Sequence, residues 1–103
     1  MSQNIVETEY QSSLAIMGTC HKDFQDVAET FAINFDKYNE IGSSLSVIVD
    51  GEITVDIFAG HTTQQKNEEW NESTLSVAFS CTKAAVALCA HLLIDRGLLN
   101  AQE

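Results

Sequence analysis

The apolar positions of the chain fall into distinct patterns after a polar start. Residues 1–20 show no regular period, so we expect a loose polar arm followed by a domain over 21–103. From Phe24 onward, apolar residues recur every three or four positions, which predicts an amphipathic helix. We expect Asp23 to cap this helix and the helix to end by 39–42. Its apolar stripe consists of Phe24, Val27, Ala28, Phe31, Phe35 and Tyr38.

Two short apolar runs, 45–49 and 53–58, follow the helix and are joined by Asp50-Gly51. An Asp-Gly pair between such runs predicts an antiparallel hairpin with a two-residue turn. Apolar residues would then lie on both faces of the hairpin, which predicts layers on both sides. The expected pairs are Val49 with Glu52 and Ile48 with Ile53.

Residues 60–73 are polar apart from Trp70, and the segment reads as a long loop with one apolar anchor. His61 lies in this loop and is a conceivable general base, but a histidine among threonines and glutamines is more often simply solvated. Apolar and small or polar residues then alternate from Leu75 to Phe79. This alternation predicts a short extended segment that leads into the last helix.

The run Ala84–Ile94 is almost wholly apolar and contains neither Gly nor Pro. It predicts a helix that is entered at Ser80 and stops at Gly97. A helix that is apolar on nearly every side is normally enclosed, so we expect this one to be buried by other elements. A run of eleven residues, ten of them apolar, is too short to cross a hydrocarbon layer, which needs about 20.

Ser80-Cys81-Thr82-Lys83 opens this helix and contains the candidate chemistry. Because Ser80 and Lys83 are three residues apart, one helical turn brings the hydroxyl and the amine to the same side. A serine hydroxyl becomes a good nucleophile when a neighbouring base accepts its proton. The helix start and the apolar neighbours both favour the neutral amine, which can act as that base. Cys81 should point away and be a passive neighbour.

The alternative for Ser80 is a purely structural N-cap, a position at which serine is preferred. A capping box would place Glu or Gln at the position that Lys83 occupies. A cation in the first turn also costs about 0.3–1 kcal/mol against the helix dipole. Lys83 is therefore a poor choice for capping alone.

The composition narrows the range of partners and compartments. Five basic and fifteen acidic residues give a formal charge of −10, which argues against nucleic acid as a partner. Three cysteines without framework spacing, and a start without a signal sequence, favour the cytosol. Cys89 and His91 would point to different faces of one helix, so we expect no metal site, and the sequence suggests no cofactor.

The order of these features resembles the N-terminal part of serine β-lactamase-related proteins, especially the class C-like branch that includes carboxylesterases. The features are the amphipathic helix, the Val49–Glu52 hairpin, Ala59-Gly60, Trp70, Thr74-Leu75, Phe79–Lys83 and the helix through Leu99. The similarity covers about residues 18–103, and Ser-x-x-Lys is itself a motif of β-lactamases and penicillin-binding proteins. The resemblance implies an α/β (α+β) fold, in which the hairpin forms edge strands of an antiparallel sheet with helices on both faces. By the same resemblance, Ser80 is the acylated nucleophile and Lys83 its activating partner. The resemblance further implies that the Ser80 N–H forms half of an oxyanion hole.

The resemblance also implies motifs that this chain does not contain. Members of the family usually have a later Tyr-x-Asn motif and a later Lys-Thr-Gly or His-x-Gly motif. Tyr10 and Tyr38 precede the nucleophile and match neither, and Ala59 and Ser73 depart from the usual glycine and aspartate. We therefore expect an incomplete domain that is inactive by itself.

The sequence is compatible with three functions. The first is an esterase-like serine hydrolase that acts on a small-molecule ester or amide. The second is a β-lactamase or D-Ala-D-Ala peptidase-like enzyme. The third is a truncated, non-catalytic chain that acts only by association, with self-association through an exposed apolar surface.

Overall fold

The computed structural model describes residues 4–102 and contains a three-stranded antiparallel sheet and two α-helices. This architecture confirms the α/β class. The elements in chain order are β1 (Met17–Cys20), α1 (Gln25–Lys37), β2 (Gly42–Val49), β3 (Glu52–Gly60) and α2 (Thr82–Asp95). Short 3₁₀ turns, Lys22–Phe24 and Phe79–Cys81, precede α1 and α2 respectively.

The β2–β3 hairpin has the predicted turn and register. Val49 pairs with Glu52 and Ile48 with Ile53. Asp50 and Gly51 have φ values of 51° and 79°, and two positive φ values in a row are the requirement of a type I′ turn. Between Val47 and Ile48 the register shifts by one residue, which marks a β-bulge in the hairpin.

The third strand, β1, comes from the region that the sequence describes as a loose arm. That description is wrong for residues 17–20, which pair with β3 in antiparallel register. The sheet order is β1-β3-β2, so β3 is central and only one strand of the hairpin lies at an edge. Gly18 allows the close pairing, because it has a φ of 113° and a Cβ there would lie 2.0 Å from the Asp56 carbonyl oxygen. The strand is short and its residues do not alternate strongly, so the sequence pattern did not predict it.

Helix α1 follows the predicted stripe, with two corrections at its ends. The imidazole of His21 caps the 3₁₀ turn that precedes α1 by accepting a hydrogen bond from the Asp23 backbone amide, so Asp23 is not the cap. Tyr38 is 72% exposed, because the helix ends at Lys37 and Asn39 leaves it with a φ of 55°. The buried residues of the helix are Ala28, Phe31, Ala32 and Phe35.

One buried cluster joins α1 to one face of the sheet. Val55, Ile57 and Ala59 of β3 contribute to it together with the α1 residues and Ile16. Residues at alternating positions, including Ser44, Ser46 and Asp56, point to the opposite face. Phe58 of β3 shares that face by the same alternation and is only 6% exposed, so residues 4–102 cover part of the face on which a second apolar layer is expected.

Helix α2 begins and ends close to the predicted residues. At its C-terminus the Leu98 N–H donates to the Leu93 carbonyl and the Gly97 N–H to the Ile94 carbonyl. Gly97 has a φ of 75°, which completes a Schellman motif. The expected burial is wrong, since no residue of α2 is buried. No helix within residues 4–102 has the length and apolarity needed to cross a membrane.

Candidate active site

Ser80 lies in the 3₁₀ turn Phe79–Cys81 that leads directly into α2. The Cys81 N–H donates to the Ala78 carbonyl oxygen (3.0 Å) and closes this turn. Phe79 has a φ of 46°, a left-handed conformation that is unfavourable for a bulky aromatic residue. Such strained residues cluster at functional sites, where they fix the direction of a neighbouring side chain. The placement of Ser80 at a helix start confirms the sequence prediction.

Lys83 is the second residue of α2 and shares an open groove with Ser80. The groove has a volume of about 550 Å³. Beyond Lys83 it continues along one face of the helix, where the side chains are apolar. The structure therefore brings the two sequence-predicted site residues to one surface, as expected from their spacing. The lining residues are Phe79, Ser80, Thr82, Lys83, Val86, Ala87 and Ala90.

The structure does not support a capping role for Ser80. Ala78 holds the N-cap position of the 3₁₀ turn and Cys81 that of α2, and neither uses its side chain as a cap. Ser80 is an exposed residue inside the turn, so its hydroxyl is not committed to a helix end. Cys81 does not line the groove, which agrees with the expectation that it points away.

The expected apolar enclosure of Lys83 is not present. Lys83 and its neighbours Ala84, Ala85 and Val86 are all exposed. Residues 4–102 therefore do not bury the Lys83 amine, so burial by these residues cannot be what activates it as a base. What the arrangement provides is a hydroxyl and a primary amine one helical turn apart, at a helix start where positive partial charge stabilises a developing anion.

His61 lies in a different part of the molecule and is not the freely solvated residue that the sequence predicts. The backbone N–H of His61 donates to the Ile41 carbonyl oxygen (2.8 Å), and His61 forms an isolated antiparallel β-bridge with Glu69. Its Nδ1 is buried without a hydrogen-bond partner among the described residues. Trp70 lies against Gly42, where a Cβ would come within 2.4 Å of the indole ring, so the anchor role of Trp70 is supported. His61 does not line the groove beside Ser80.

Two tyrosines are also away from the groove. The Tyr10 hydroxyl donates to Asp36 (2.7 Å), and Tyr38 is at the exposed C-terminal end of α1. Within residues 4–102 no group of three or more histidine, cysteine or acidic residues is arranged to hold a metal ion.

The conformation at Phe79 could not be predicted from the sequence. A positive φ is predictable at Gly or Asn, but a phenylalanine carries no such signal. The apolar floor of the groove could have been found, because Val86 and Ala90 lie three and seven residues beyond Lys83, which is about one and two helical turns.

Comparisons with known proteins identify the family of the chain. The sequence model of the Beta-lactamase family matches residues 24–103 and so includes both Ser80 and Lys83. The chain is 31% identical over 85 residues to esterase/beta-lactamase LipL of Mycobacterium tuberculosis. That alignment covers 82% of this chain and 20% of the relative, so the chain spans about a fifth of the relative's length. With most of its residues matched, the chain belongs to the β-lactamase family of hydrolases.

Proposed function

We propose that the chain contributes the nucleophile and the base of a serine hydrolase, with Ser80 as the acylated residue and Lys83 as its activating base. The observation that carries the proposal is the groove that Ser80 and Lys83 share at the start of α2. The strained Phe79 supports it, because the turn holds the serine in an exposed position at a backbone cost.

In the proposed reaction, Ser80 Oγ attacks the carbonyl carbon of the substrate while its proton passes to Lys83 Nζ, which acts as the base. Negative charge develops on the carbonyl oxygen, and the Ser80 N–H donates to it as one half of an oxyanion hole. The leaving oxygen takes the proton from Lys83 as its bond to carbon breaks, which yields an acyl-Ser80 and an alcohol. Water then attacks the acyl carbon and releases the acid and the free serine.

We propose an ester as the substrate. The relative's printed name contains both esterase and β-lactamase, and it supports acyl chemistry for this chain without choosing between them. A β-lactam or a D-Ala-D-Ala peptide is the alternative substrate, since the same acylation step opens a cyclic or linear amide. The groove beyond Lys83 is apolar, which fits the acyl part of an uncharged ester.

We also propose that the second oxyanion donor comes from a part of the family domain that does not correspond to residues 24–103. None of the groove-lining residues is a tyrosine, and Tyr10 is engaged with Asp36. The described residues would then supply the nucleophile and the base but not the full stabilisation of the transition state. We expect rapid turnover only when that donor is present.

A second candidate function is association without catalysis, and the exposure of α2 favours it. Large apolar residues in this region are strongly exposed, including Leu75 (93%), Phe79 (82%) and Leu88 (71%). Exposed apolar clusters of this kind mark interaction surfaces. In this alternative the chain would self-associate through α2, and substitution of Ser80 would change nothing.

We propose the cytosol as the compartment. Cys20, Cys81 and Cys89 are all free, and two of the three are exposed. Exposed free thiols persist in a reducing compartment. Fractionation of cells that produce the protein tests this location.

The proposed function is tested by covalent labelling and by ester hydrolysis. A form of the protein that also contains the second oxyanion donor is treated with a fluorophosphonate or with p-nitrophenyl acetate, and its intact mass is measured. We expect one adduct on Ser80, and Ser80→Ala should remove both the adduct and the hydrolysis. Cys81→Ala is the matched control, since it changes the adjacent exposed residue and should keep labelling. Loss of the adduct in Cys81→Ala but not in Ser80→Ala would make this a thiol enzyme and refute the proposal.

A further inference from the structure

The polar loop that follows β3 folds back on itself at the end of the sheet. The backbone N–H of Trp70 donates to the Gly60 carbonyl oxygen (2.9 Å), and His61 and Glu69 form the β-bridge described above. These contacts close the loop at its base. They bring the side chains of His61 and Trp70 to the wall of one pocket, although the two residues are distant in the chain.

This pocket lies between the loop and the segment that precedes β1, and its volume is about 290 Å³. Small-molecule sites usually have volumes of about 300–1,000 Å³, so only a molecule with few non-hydrogen atoms fits here. Much of the wall is apolar, which suits a short aliphatic group. The apolar members are Leu14, Ala15, Met17 and Ala59.

Two polar atoms in the residues of this wall have no hydrogen-bond partner. Within residues 4–102, Nδ1 of His61 and the indole Nε1 of Trp70 are the two buried side-chain nitrogen or oxygen atoms of this kind. A buried polar group without a partner is unfavourable, because it loses its hydrogen bond to water and gains none from the protein. Such atoms in a native structure require an explanation. Their occurrence in two residues of one pocket points to a polar group that binds there.

Neighbouring atoms cover both nitrogens, so an occupant reaches them through a small movement of the His61 and Trp70 rings. The position of these residues permits that movement. They belong to a surface loop in which residues 63–69 are all exposed, and only main-chain hydrogen bonds close its base. Loops of this kind open at a lower cost than core elements do. The hydrogen bonds that the two nitrogens gain would offset this cost.

The two nitrogens require a group that can both accept and donate a hydrogen bond. An indole N–H only donates, whereas an imidazole nitrogen accepts when the ring proton is on the other nitrogen. Glu69 also lines the pocket and the chain has a formal charge of −10, so an anion is disfavoured and a donor is favoured. A hydroxyl group is uncharged and can donate and accept at the same time.

We propose that this pocket binds a small aliphatic alcohol, whose hydroxyl oxygen accepts from Trp70 Nε1–H and donates to His61 Nδ1. The hydrocarbon chain of the alcohol lies against the apolar wall. A water molecule can bridge the same nitrogens but buries no apolar surface, so the alcohol has this additional contribution in its favour. The site goes beyond the proposed hydrolase function, because neither His61 nor Trp70 lines the groove beside Ser80.

The test is an NMR titration of the ¹⁵N-labelled chain with n-butanol. Trp70 is the single tryptophan, so its indole N–H gives one assigned signal. We expect a saturable shift of this signal with a midpoint of about 1–10 mM, as befits a ligand with so few atoms. Methyl propyl ether is the matched probe, because this isomer of butanol accepts a hydrogen bond but donates none. It should bind several-fold more weakly. A shift that rises linearly without saturation, or equal midpoints for the two probes, would overturn the proposal.

A pair of variants separates the pocket from a general effect of the alcohol on the protein. His61→Phe keeps an aromatic ring and removes Nδ1, so it should raise the midpoint for n-butanol several-fold. His91→Phe is the matched control, because His91 is exposed on α2 and does not line the pocket, and its midpoint should equal that of the unaltered chain. An unchanged midpoint in a His61→Phe protein that retains its circular dichroism spectrum would overturn the proposal. If His61→Phe does not fold, the comparison of the two probes on the unaltered chain decides.

Discussion

The two ends of this chain differ in how their apolar residues are used. Between Ile16 and Ala59, strands and α1 enclose the whole buried apolar cluster. From Leu75 to Leu99 the chain is richer in aliphatic residues, yet no residue of α2 is buried. A continuous apolar run therefore specifies a helix in this molecule without specifying what covers it, whereas a periodic pattern specifies both the element and its packing.

The difference has a physical origin in the local signals of each region. Helix α1 is amphipathic, so only one orientation buries its aromatic residues against β3. Helix α2 is apolar on nearly every side and stops at Gly97 through local hydrogen bonds alone. The stable part of the described chain and the part with the candidate nucleophile are thus separate regions.

The largest expected effect is a loss of stability on truncating the core. Ile57 is fully buried in the central strand, and Ile57→Ala should lower the free energy of unfolding by about 2–5 kcal/mol. Ile48→Ala is the matched control in the same sheet, because Ile48 is 63% exposed. Urea denaturation followed by circular dichroism measures both. A loss below about 1 kcal/mol for Ile57→Ala would break the distinction between the two regions.

The same substitution type in α2 should have a much smaller effect. Leu88 is 71% exposed, so Leu88→Ala should change the free energy of unfolding by no more than about 0.5 kcal/mol. Alanine also has the higher helix propensity, which offsets the small loss of contact. The measurement is again urea denaturation of the chain. A loss of about 2 kcal/mol or more would show that α2 is covered in solution.

The smallest expected effect is local and depends on acid. Hydrogen bonds from the backbone amides of Tyr10 and Glu9 lower the pKa of Glu29, and hydrogen bonds from the Tyr10 and Ser13 hydroxyls lower the pKa of Asp36. The stabilisation that these carboxylates contribute is therefore fully present above the ordinary pKa values of about 4.3 and 3.9. It is lost as the pH falls through the lowered pKa values, when both carboxyls become protonated. Amide NMR shifts of residues 9 and 10 followed from pH 7 downward measure this. A midpoint at or above the ordinary pKa values would contradict these hydrogen bonds.

Local signals made much of the fold predictable. The Asp50-Gly51 pair determined the turn and register of the hairpin, and Gly97 determined the end of α2. The strand β1 could not be predicted, because four residues with a glycine show no alternation and gain their stability from pairing with β3. The cap by His21 was also unpredictable, since histidine is not a usual capping residue.

The candidate site was predictable in its spacing but not in its surroundings. Ser80 and Lys83 share a groove because one helical turn separates them, and that follows from sequence alone. The left-handed conformation of Phe79 and the exposure of Lys83 do not follow from the sequence alone, because both depend on how the chain enters the helix and on what packs around it. Local helix geometry sets the relative position of Ser80 and Lys83, whereas tertiary packing sets their environment.

The most direct test of the central claim is the acylation rate after Lys83→Met, measured with an activated ester in a form of the protein that hydrolyses it. Methionine keeps the apolar stem and removes the amine that accepts the Ser80 proton. The account predicts that acylation falls by about 10²–10⁴-fold, the range typical of lost acid–base catalysis, while a thermal melt shows that the fold is retained. An unchanged acylation rate in a folded Lys83→Met protein would contradict the account and remove Lys83 from the proposed mechanism.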